Sequence, residues 1–430
     1  MGVSARRSRV HRFTCAGAAF AVGTLLLATF CATPAEAIPA FSRELKTECT
    51  TCHTIFPQLN EFGQAFEKNG FVWPGGVAKS KKVKVTQTEE ERKSAEFINL
   101  SGIPNTLPLS ASLGLTYRYD EDKEDNFDQK FYSAELFGAG TFGGDKIGFW
   151  FNESLGGQSG GPTGPSQVWF VANHPFGVPV HLKAGRLSPD LSLWKTTLNG
   201  RMLSMGANIN SFLVTSAQSG VEISSFLGSR AIAVFGVNDR NNAVGKDADG
   251  KDLAVRSVND FYGRVGVKFG GTDFHGKEPD VDLDKDSVWD YLSISLNAFG
   301  YSGSQSGPDH VNRDVTRFGA EAEVAYKKLL LMFGATRGEN DTSKAAVEIT
   351  ALSAEVDYVF NPMFAVALRY DHLDVDGKDP RAVVTPGVIY APFQSVKFRL
   401  SAAIDSNPTL AATGKADKTT TAQLSATLSF

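Results

Sequence analysis

The chain has 430 residues, with 43 Lys and Arg against 47 Asp and Glu and a formal net charge of −4. A nucleic-acid-binding protein would show an excess of positive charge, so no nucleic acid is expected as a partner. After residue 37 the sequence contains no apolar run of about 20 residues, the length that a transmembrane helix needs.

Residues 1–37 have the features of a secretory signal peptide. Four Arg residues precede an apolar stretch at 16–32, and the small-residue sequence Ala-Glu-Ala at 35–37 is a cleavage site. An uncleaved membrane anchor is the alternative, and the cleavage site argues against it. Cleavage there removes Cys15 and Cys31, together with four Arg and one Glu, and changes the net charge from −4 to −7. The mature chain is therefore expected to be exported.

Residues 49–53 read Cys-Thr-Thr-Cys-His, the attachment sequence of a c-type haem. In such sites two thiols bind the porphyrin covalently and the adjacent His is the proximal iron ligand. Cys49, Cys52 and His53 therefore predict one haem c. A disulfide loop or half of a zinc site would use the same two thiols. A zinc site needs further ligands nearby, and the next His along the chain is His174.

Residues 38–75 are predicted to be a small α-helical cytochrome segment. At about 40 residues, this segment is too short to bury a haem unaided. One helix is expected over 57–69, because its initial Pro suits a first turn and the following Gly70 suits a C-terminal cap. Three apolar side chains would share one face of that helix and pack against a neighbouring wall or the porphyrin: Leu59, Phe62 and Phe66.

Residues 76–107 are strongly charged and are predicted to be a linker. Residues 108–430 consist of short segments in which apolar and polar residues alternate, separated by Gly, Asn, Asp and Pro. A period of two indicates β-strands with one apolar and one polar face. Sixteen strands are expected, near 109–119, 128–143, 146–156, 166–174, 180–187, 218–227, 230–239, 260–270, 288–302, 314–327, 329–339, 347–360, 363–375, 380–390, 394–406 and 417–430.

Four features favour a transmembrane barrel over a soluble sandwich. The last strand ends the chain at Phe430, aromatic residues lie toward strand ends, the strand count is even, and short and long connections alternate. The connection 271–287 is an exception, since it is long and acidic where a tight turn is expected. The aromatic residues assigned to the membrane interfaces are Tyr117, Tyr119, Trp150, Trp169, Trp289, Tyr326, Tyr358 and Tyr370.

The predicted fold class is therefore all-β: an outer-membrane β-barrel of about 16 antiparallel strands with a small N-terminal α-helical c-type cytochrome plug. An even strand count places both ends of the barrel on the periplasmic side. The haem segment is expected at the periplasmic mouth or inside the lumen. Charges of both signs would line that lumen: Arg264, Lys268, Glu321, Glu323, Arg369, Lys397 and Arg399.

A group of N-terminal residues carries a family resemblance. These residues are Ile38-Pro39-Ala40-Phe41-Ser42-Arg43, Cys49 to His53, Phe56-Pro57-Gln58-Leu59-Asn60, Phe62-Gly63, Phe66 and Asn69-Gly70-Phe71. They closely resemble the N-terminal motif of the outer-membrane cytochrome–porin fusions, in which a monohaem c-type cytochrome precedes a porin-like barrel.

The resemblance implies a one-electron oxidoreductase of the ferrous-iron oxidase type in the bacterial outer membrane. Its donor would be ferrous iron or another extracellular redox partner, its acceptor a periplasmic carrier (a cytochrome or a copper protein), and its surroundings outer-membrane lipid. Cys49 and Cys52 would attach the haem, and His53 would ligate the iron. Two alternatives stay open: export of electrons to an extracellular acceptor, or a solute porin whose cytochrome segment serves assembly or sensing.

No His or Met lies between His53 and His174, so a His or Met at the sixth iron position must come from the barrel. His181 is the leading candidate, because it shares the polar-face parity of Lys183 and follows a predicted periplasmic turn. His174 is expected to face outward or into that turn. The other candidates are Met202 and Met205 in a long outer loop at 188–217 that could fold inward, and Asn60, Asn69, Lys68 or water.

Overall fold

The computed structural model describes residues 41, 51–55, 58–73, 109–121, 127–143, 145–156, 167–193, 202–203, 217–239, 258–278, 287–306, 312–341, 346–393, 396–405 and 419–429. The predicted leader, Cys49, Met205, the linker at 76–107 and Phe430 lie outside these residues. All described residues belong to one compact unit, Ile38–Phe430. Among them, no helix is both long and apolar enough to cross a membrane.

The N-terminal segment, defined here as residues 51–55 and 58–73, forms a small hairpin and one helix. The elements are β1 (His53–Ile55), β2 (Gln58–Leu59) and α1 (Glu61–Lys68), with β1 and β2 antiparallel. The prediction that the helix begins at residue 57 is wrong. Asn60 has an extended backbone and its side chain accepts the Gly63 N–H, so it caps the helix and fixes Glu61 as its first residue.

The predicted C-terminal cap of α1 is confirmed. Gly70 has a φ of 63°, and its N–H donates to the Glu67 carbonyl at 3.0 Å. The Phe71 N–H donates to the Phe66 carbonyl at 3.1 Å, which completes a Schellman motif. The two Phe rings lie 5.8 Å apart and provide the apolar contact that accompanies this motif.

Sixteen antiparallel strands form a closed barrel in which the last strand pairs with the first. This confirms the predicted barrel class and strand number. The strands are β3 (Leu109–Asp120), β4 (Phe127–Phe142), β5 (Ile147–Gly156), β6 (Gln167–Asn173), β7 (Val180–Leu187), β8 (Gln218–Phe226), β9 (Ala231–Asp239), β10 (Val258–Phe269), β11 (Ser293–Ser306), β12 (Asn312–Tyr326), β13 (Leu329–Asp341), β14 (Ala346–Asn361), β15 (Phe364–Val375), β16 (Arg381–Phe393), β17 (Val396–Asp405) and β18 (Thr419–Ser429).

The alternating pattern sorts side chains between the lumen and the outer surface. In β14, Glu355 and Asp357 are buried, while Leu352 and Val356 are exposed on the outside. All seven charged side chains that the sequence assigns to the lumen are buried. The outer surface is correspondingly rich in exposed Leu, Val and Phe. Side chains therefore follow the period of two that the sequence shows.

The two ends of the barrel differ in the length of their connections. One end, called here the tight-turn end, carries the short connections at 143–146, 174–179, 227–230, 327–328, 362–363 and 394–395, as well as the start of β3 and the end of β18. The other end carries mostly longer connections, including the one between β7 and β8. The predicted alternation of short and long connections is confirmed, and so is its exception, since the tight-turn end also carries the long connection 270–292 between β10 and β11.

One predicted strand begins in the wrong place. Residues 288–291 form a short helix, α2 (Val288–Tyr291), and β11 starts only at Ser293. The Leu292 N–H donates to the Val288 carbonyl at 2.9 Å, the pattern of a helical turn. Local sequence explains the error, because apolar residues at 288, 289, 291 and 292 do not alternate with polar ones.

Candidate functional site

The second half of the C-x-x-C-H sequence lies against the start of α1. The Cys52 carbonyl accepts a hydrogen bond from the Asn60 N–H at 2.9 Å, and the Asn60 side chain donates to the Thr51 carbonyl at 3.1 Å. Gly63 is needed for this approach, because a Cβ there would overlap the Cys52 carbonyl oxygen. Cys52 and His53 are both partly exposed. The helix thus fixes the backbone of the motif while leaving its side chains accessible.

The β1–β2 hairpin is seated on one side of the barrel wall. The side chain of Gln58 donates to Asp357 of β14 at 3.4 Å. Ile55 is 5% exposed and packs in an apolar cluster with residues of β15 and β16: Ala365, Ala367 and Ile389. The hairpin end of the N-terminal segment therefore contacts β14 to β16.

The other end of the segment contacts the opposite wall. Phe71 stacks on Trp169 of β6 and on Trp150 of β5, with ring centroids 5.6 and 6.0 Å apart. The Gly70 carbonyl accepts from the side chain of Asn173 of β6 at 3.4 Å. In the closed ring, β6 lies eight strands from β14, so the segment crosses the lumen.

The prediction that Trp150 and Trp169 belong to an interfacial girdle is wrong. Trp169 is 6% exposed, and both indoles face Phe71 inside the barrel. The segment needs an apolar seat on the wall, and these two rings provide it. By contrast, Tyr358 and Tyr370 are exposed on the outer surface, as predicted.

A buried ion pair fixes the start of α1 to the wall. Glu61 lies 2.9 Å from the ammonium of Lys268, whose side chain is 4% exposed. Glu61 also accepts hydrogen bonds from the Thr272 N–H at 3.2 Å and from the Ser293 hydroxyl. Sequence reasoning missed this role, because the partners are more than 200 positions away. The sequence Asn60-Glu61, an N-cap residue followed by an acidic residue, could have indicated where the helix begins. It could not have indicated what Glu61 binds.

The long connection between β7 and β8 folds into the lumen in its described parts. Asp190 forms ion pairs with Lys68 of α1 and, at 3.2 Å, with Arg264 of β10. Met202 is 3% exposed and belongs to the same apolar cluster as Ile55. The expectation that this loop could fold inward is thus confirmed for the described residues.

Two solved outer-membrane proteins, one of them a porin, have the same barrel architecture. An anion-selective porin from Comamonas acidovorans superposes with a TM-score of 0.56 at 13% identity, covering 76% of this chain and 99% of that one. In-vitro folded OmpT of Vibrio cholerae, in its trimer form, superposes with a TM-score of 0.51 at 14% identity, with coverage of 76% and 99%. The fold is that of a porin.

Neither a protein-family model nor a curated protein sequence matches the chain. The porin fold confirms the barrel part of the resemblance to the cytochrome–porin fusions. The cytochrome part stays a prediction.

His181 lies on the lumen side of the porin barrel, as its parity predicts. It is 2% exposed, its Nδ1 lies 2.9 Å from Asn173 Oδ1, and its Nε2 is buried without a hydrogen-bond partner among the described residues. His174 is exposed in the turn before β7, also as expected. His181 stands on β7, across the lumen from the hairpin that carries His53. Its role as the sixth ligand stays a prediction.

The described part of the motif fits a c-type haem. Covalent attachment needs an accessible thiol, and iron ligation needs an accessible imidazole, and the partly exposed Cys52 and His53 meet both needs. Cys49 lies outside the described residues. A cavity of about 30 Å³ lies beside α1 and is lined on the helix side by Gln64 and Lys68.

Proposed function

We propose that the chain is an outer-membrane electron-transfer protein that uses one c-type haem to pass electrons from extracellular ferrous iron to a periplasmic carrier. The observation that carries this proposal is the place of the described part of the motif, residues 51–53, which lies inside a closed porin barrel and is tied to its wall through α1 and the β1–β2 hairpin. Solute passage itself does not require a haem-attachment sequence in the lumen. A redox protein that spans the membrane needs its cofactor there.

The outer surface of the barrel supports a membrane location. Large apolar side chains are exposed on strand after strand, among them Phe235, Val265, Phe318, Phe333, Leu368 and Leu400, each at least 47% exposed. A soluble monomer rarely exposes so continuous an apolar surface. A closed barrel leaves no strand edge unpaired, which is the condition for crossing lipid with strands.

The contacts of the N-terminal segment support a periplasmic position for the haem. Lys268, Ser293 and Asn173, which hold the segment, all lie at strand ends next to the tight-turn end. Outer-membrane barrels have short periplasmic turns and longer outer loops. A periplasmic carrier, a cytochrome or a copper protein, could therefore dock close to the haem, and ferrous iron would approach through the lumen from outside.

The proposed reaction moves one electron and no atoms. Ferrous iron loses one electron and becomes ferric, and the periplasmic carrier gains that electron. When bound, haem c supplies the one-electron couple between the two. Cys49 and Cys52 would hold it covalently, and His53 would ligate its iron. The Glu61–Lys268 pair keeps the motif against the wall, at the end where the carrier would dock.

The test uses the full chain purified in detergent from a host that matures c-type cytochromes. We expect covalent haem that survives denaturation in the wild type and is absent from Cys52→Ala. Anaerobic mixing of the oxidised protein with ferrous iron should give the reduced spectrum, with ascorbate as the control reductant. Absence of covalent haem, or reduction by ascorbate and never by ferrous iron at any pH, would refute the proposal. A midpoint potential far below that of iron would favour electron export.

A second candidate function is solute passage. The porin fold favours it, because a solved protein with this fold is an anion-selective porin. Conductance in planar bilayers separates the two functions. Equal, substantial conductance of wild type and Cys52→Ala, without reduction by iron, would identify a channel in which the haem motif has an assembly or sensing role.

A further inference from the structure

We infer that His174 and His181 form a binding site for a divalent transition-metal cation such as Zn²⁺ or Cu²⁺, at the tight-turn end of the barrel. The cation binds the Nε2 atom of His181 and the imidazole of His174, and water completes its coordination. The inference does not depend on the haem or on the proposed function. It gives His181 a role other than sixth ligand of the haem iron, because one nitrogen cannot bind two ions.

The hydrogen bonds of Asn173 determine which nitrogen of His181 can bind a cation. The side-chain NH₂ group of Asn173 donates to the Gly70 carbonyl at 3.4 Å and to the Asp145 carbonyl at 3.1 Å. Its Oδ1 is therefore the atom that faces His181 Nδ1 at 2.9 Å, and Nδ1 must be the donor. In the neutral imidazole the lone pair is then on Nε2, which is the nitrogen that can bind a cation.

The Nε2 atom of His181 has no partner in the part of the chain that the structure describes. The residue is 2% exposed, and no described group reaches Nε2 within hydrogen-bond distance. An unpaired buried acceptor is unfavourable, and folded proteins rarely keep one without a bound water, a bound ion or a function. A histidine that binds a metal through one nitrogen usually donates its other N–H to a fixed oxygen, as His181 does to Asn173.

His174 brings a second imidazole next to His181. It has a φ of 50° and stands at the start of the turn between β6 and β7. The centroids of the two rings are 5.0 Å apart. With a metal–nitrogen distance of about 2 Å, a centroid about 1.1 Å behind each nitrogen and a tetrahedral angle, two imidazoles on one cation have centroids about 5 Å apart. The observed spacing therefore fits two imidazoles that share one ion.

The surroundings of the two rings suit a cation. Lys183, on the same face of β7, forms an ion pair with Glu222, so its charge is compensated. Phe226 packs edge to face on His181, with centroids 5.4 Å apart, and shields that side of the ring from water. His174 is exposed, which gives a cation a route from solvent to the pair. The described residues contain no group of three or more His, Cys, Asp or Glu that could hold a metal, so water supplies the remaining ligands.

The test uses the full chain in detergent, purified without a polyhistidine tag. Zn²⁺ and Cu²⁺ are the probes, because neutral imidazole suits both. Calorimetry should show a Zn²⁺ site in the wild type and in the control His372→Ala, whose histidine lies on β15, eight strands from β7. His174→Ala and His181→Ala should both lose this site. The electron paramagnetic resonance spectrum of bound Cu²⁺ should show two nitrogen ligands in the wild type and in the control alone.

Two further variants make the test independent of folding defects. Asn173→Ala removes the acceptor of the Nδ1–H group and should weaken Zn²⁺ binding about 10–100-fold, the usual effect of losing a partner that orients a ligand. His174→Cys keeps a ligand at the exposed position, so it should bind Co²⁺ with a new thiolate-to-cobalt absorption band. Zn²⁺ binding that is unchanged in His174→Ala, or no such band in His174→Cys, would overturn the inference. A wild type that binds Zn²⁺ but carries no covalent haem would overturn the proposed function alone.

Discussion

The ion pair between Glu61 and Lys268 allows a quantitative prediction about how firmly α1 is held. The Lys268 side chain is 4% exposed and that of Glu61 is 23% exposed. Removing one partner of a buried pair costs about 3–5 kcal/mol, because the remaining charge is left uncompensated. The partial exposure of Glu61 puts Glu61→Gln at about 3 kcal/mol, the lower end of this range. Gln keeps the size of the side chain and can still accept from the Thr272 N–H, so the change isolates the charge.

The assay is hydrogen exchange of the α1 amides, followed by mass spectrometry in detergent. A cost of about 3 kcal/mol raises the population of the undocked helix by roughly 100-fold, and exchange should accelerate by that factor. The control is Glu348→Gln, whose carboxylate pairs with Arg337 at 2.6 Å with both side chains more than half exposed. Exposed pairs contribute about 0–1 kcal/mol, so this change should leave exchange nearly unaltered.

A second substitution tests the physical reason for the effect. Adding Lys268→Met to Glu61→Gln removes the uncompensated cation, so we expect exchange in the double variant to return most of the way to the wild-type rate. The reasoning is refuted if Glu61→Gln accelerates α1 exchange no more than Glu348→Gln does, or if the double variant is no better protected than Glu61→Gln.

Three further predictions concern the seat of the segment and the outer surface. Gly63→Ala places a methyl group on the Cys52 carbonyl. The overpacking costs about 1–3 kcal/mol and should outweigh the helix-propensity gain of about 1 kcal/mol, so the α1 amides should exchange faster than in the wild type. Slower exchange would contradict this prediction. Phe71→Ala removes the ring that stacks on Trp169. The free energy that holds the N-terminal segment in the lumen should fall by about 3–5 kcal/mol, and single-channel conductance should rise. Unchanged conductance would count against a plugged lumen. Leu368→Lys puts a charge on the outer face, where Leu368 is 52% exposed. In lipid vesicles the free energy of unfolding, measured by urea titration, should fall by up to about 2–4 kcal/mol. An unchanged free energy of unfolding would argue against lipid contact at this position.

The local pattern of the sequence was enough to predict the strands, because alternate side chains of a strand must face opposite sides whatever the strand pairs with. Fifteen of the sixteen predicted strands begin within two residues of the observed start. The cap at Gly70 was predictable for the same local reason, since the left-handed conformation there favours glycine. The start of β11 was not, because residues 288–292 carry no alternating pattern.

The seat of the N-terminal segment could not be predicted in this way. Trp150 and Trp169 have the aromatic character of girdle residues, and only the contact with Phe71 shows that they face the lumen. The partners of Glu61 lie far along the chain, and no local pattern marks them. Met202 was one of several open choices for an iron ligand, and only the fold shows that it is buried in the apolar cluster that contains Ile55.

The sequence by itself determined that this chain carries a C-x-x-C-H motif ahead of sixteen amphipathic strands, because motif spacing and strand period are properties of neighbouring residues. Only the tertiary structure decided what stands next to the motif: which wall receives the hairpin, which loop folds in to meet it, and which charges are paired. Closing a barrel brings residues together that are hundreds of positions apart, and the free energy of those contacts depends on the closed ring as a whole.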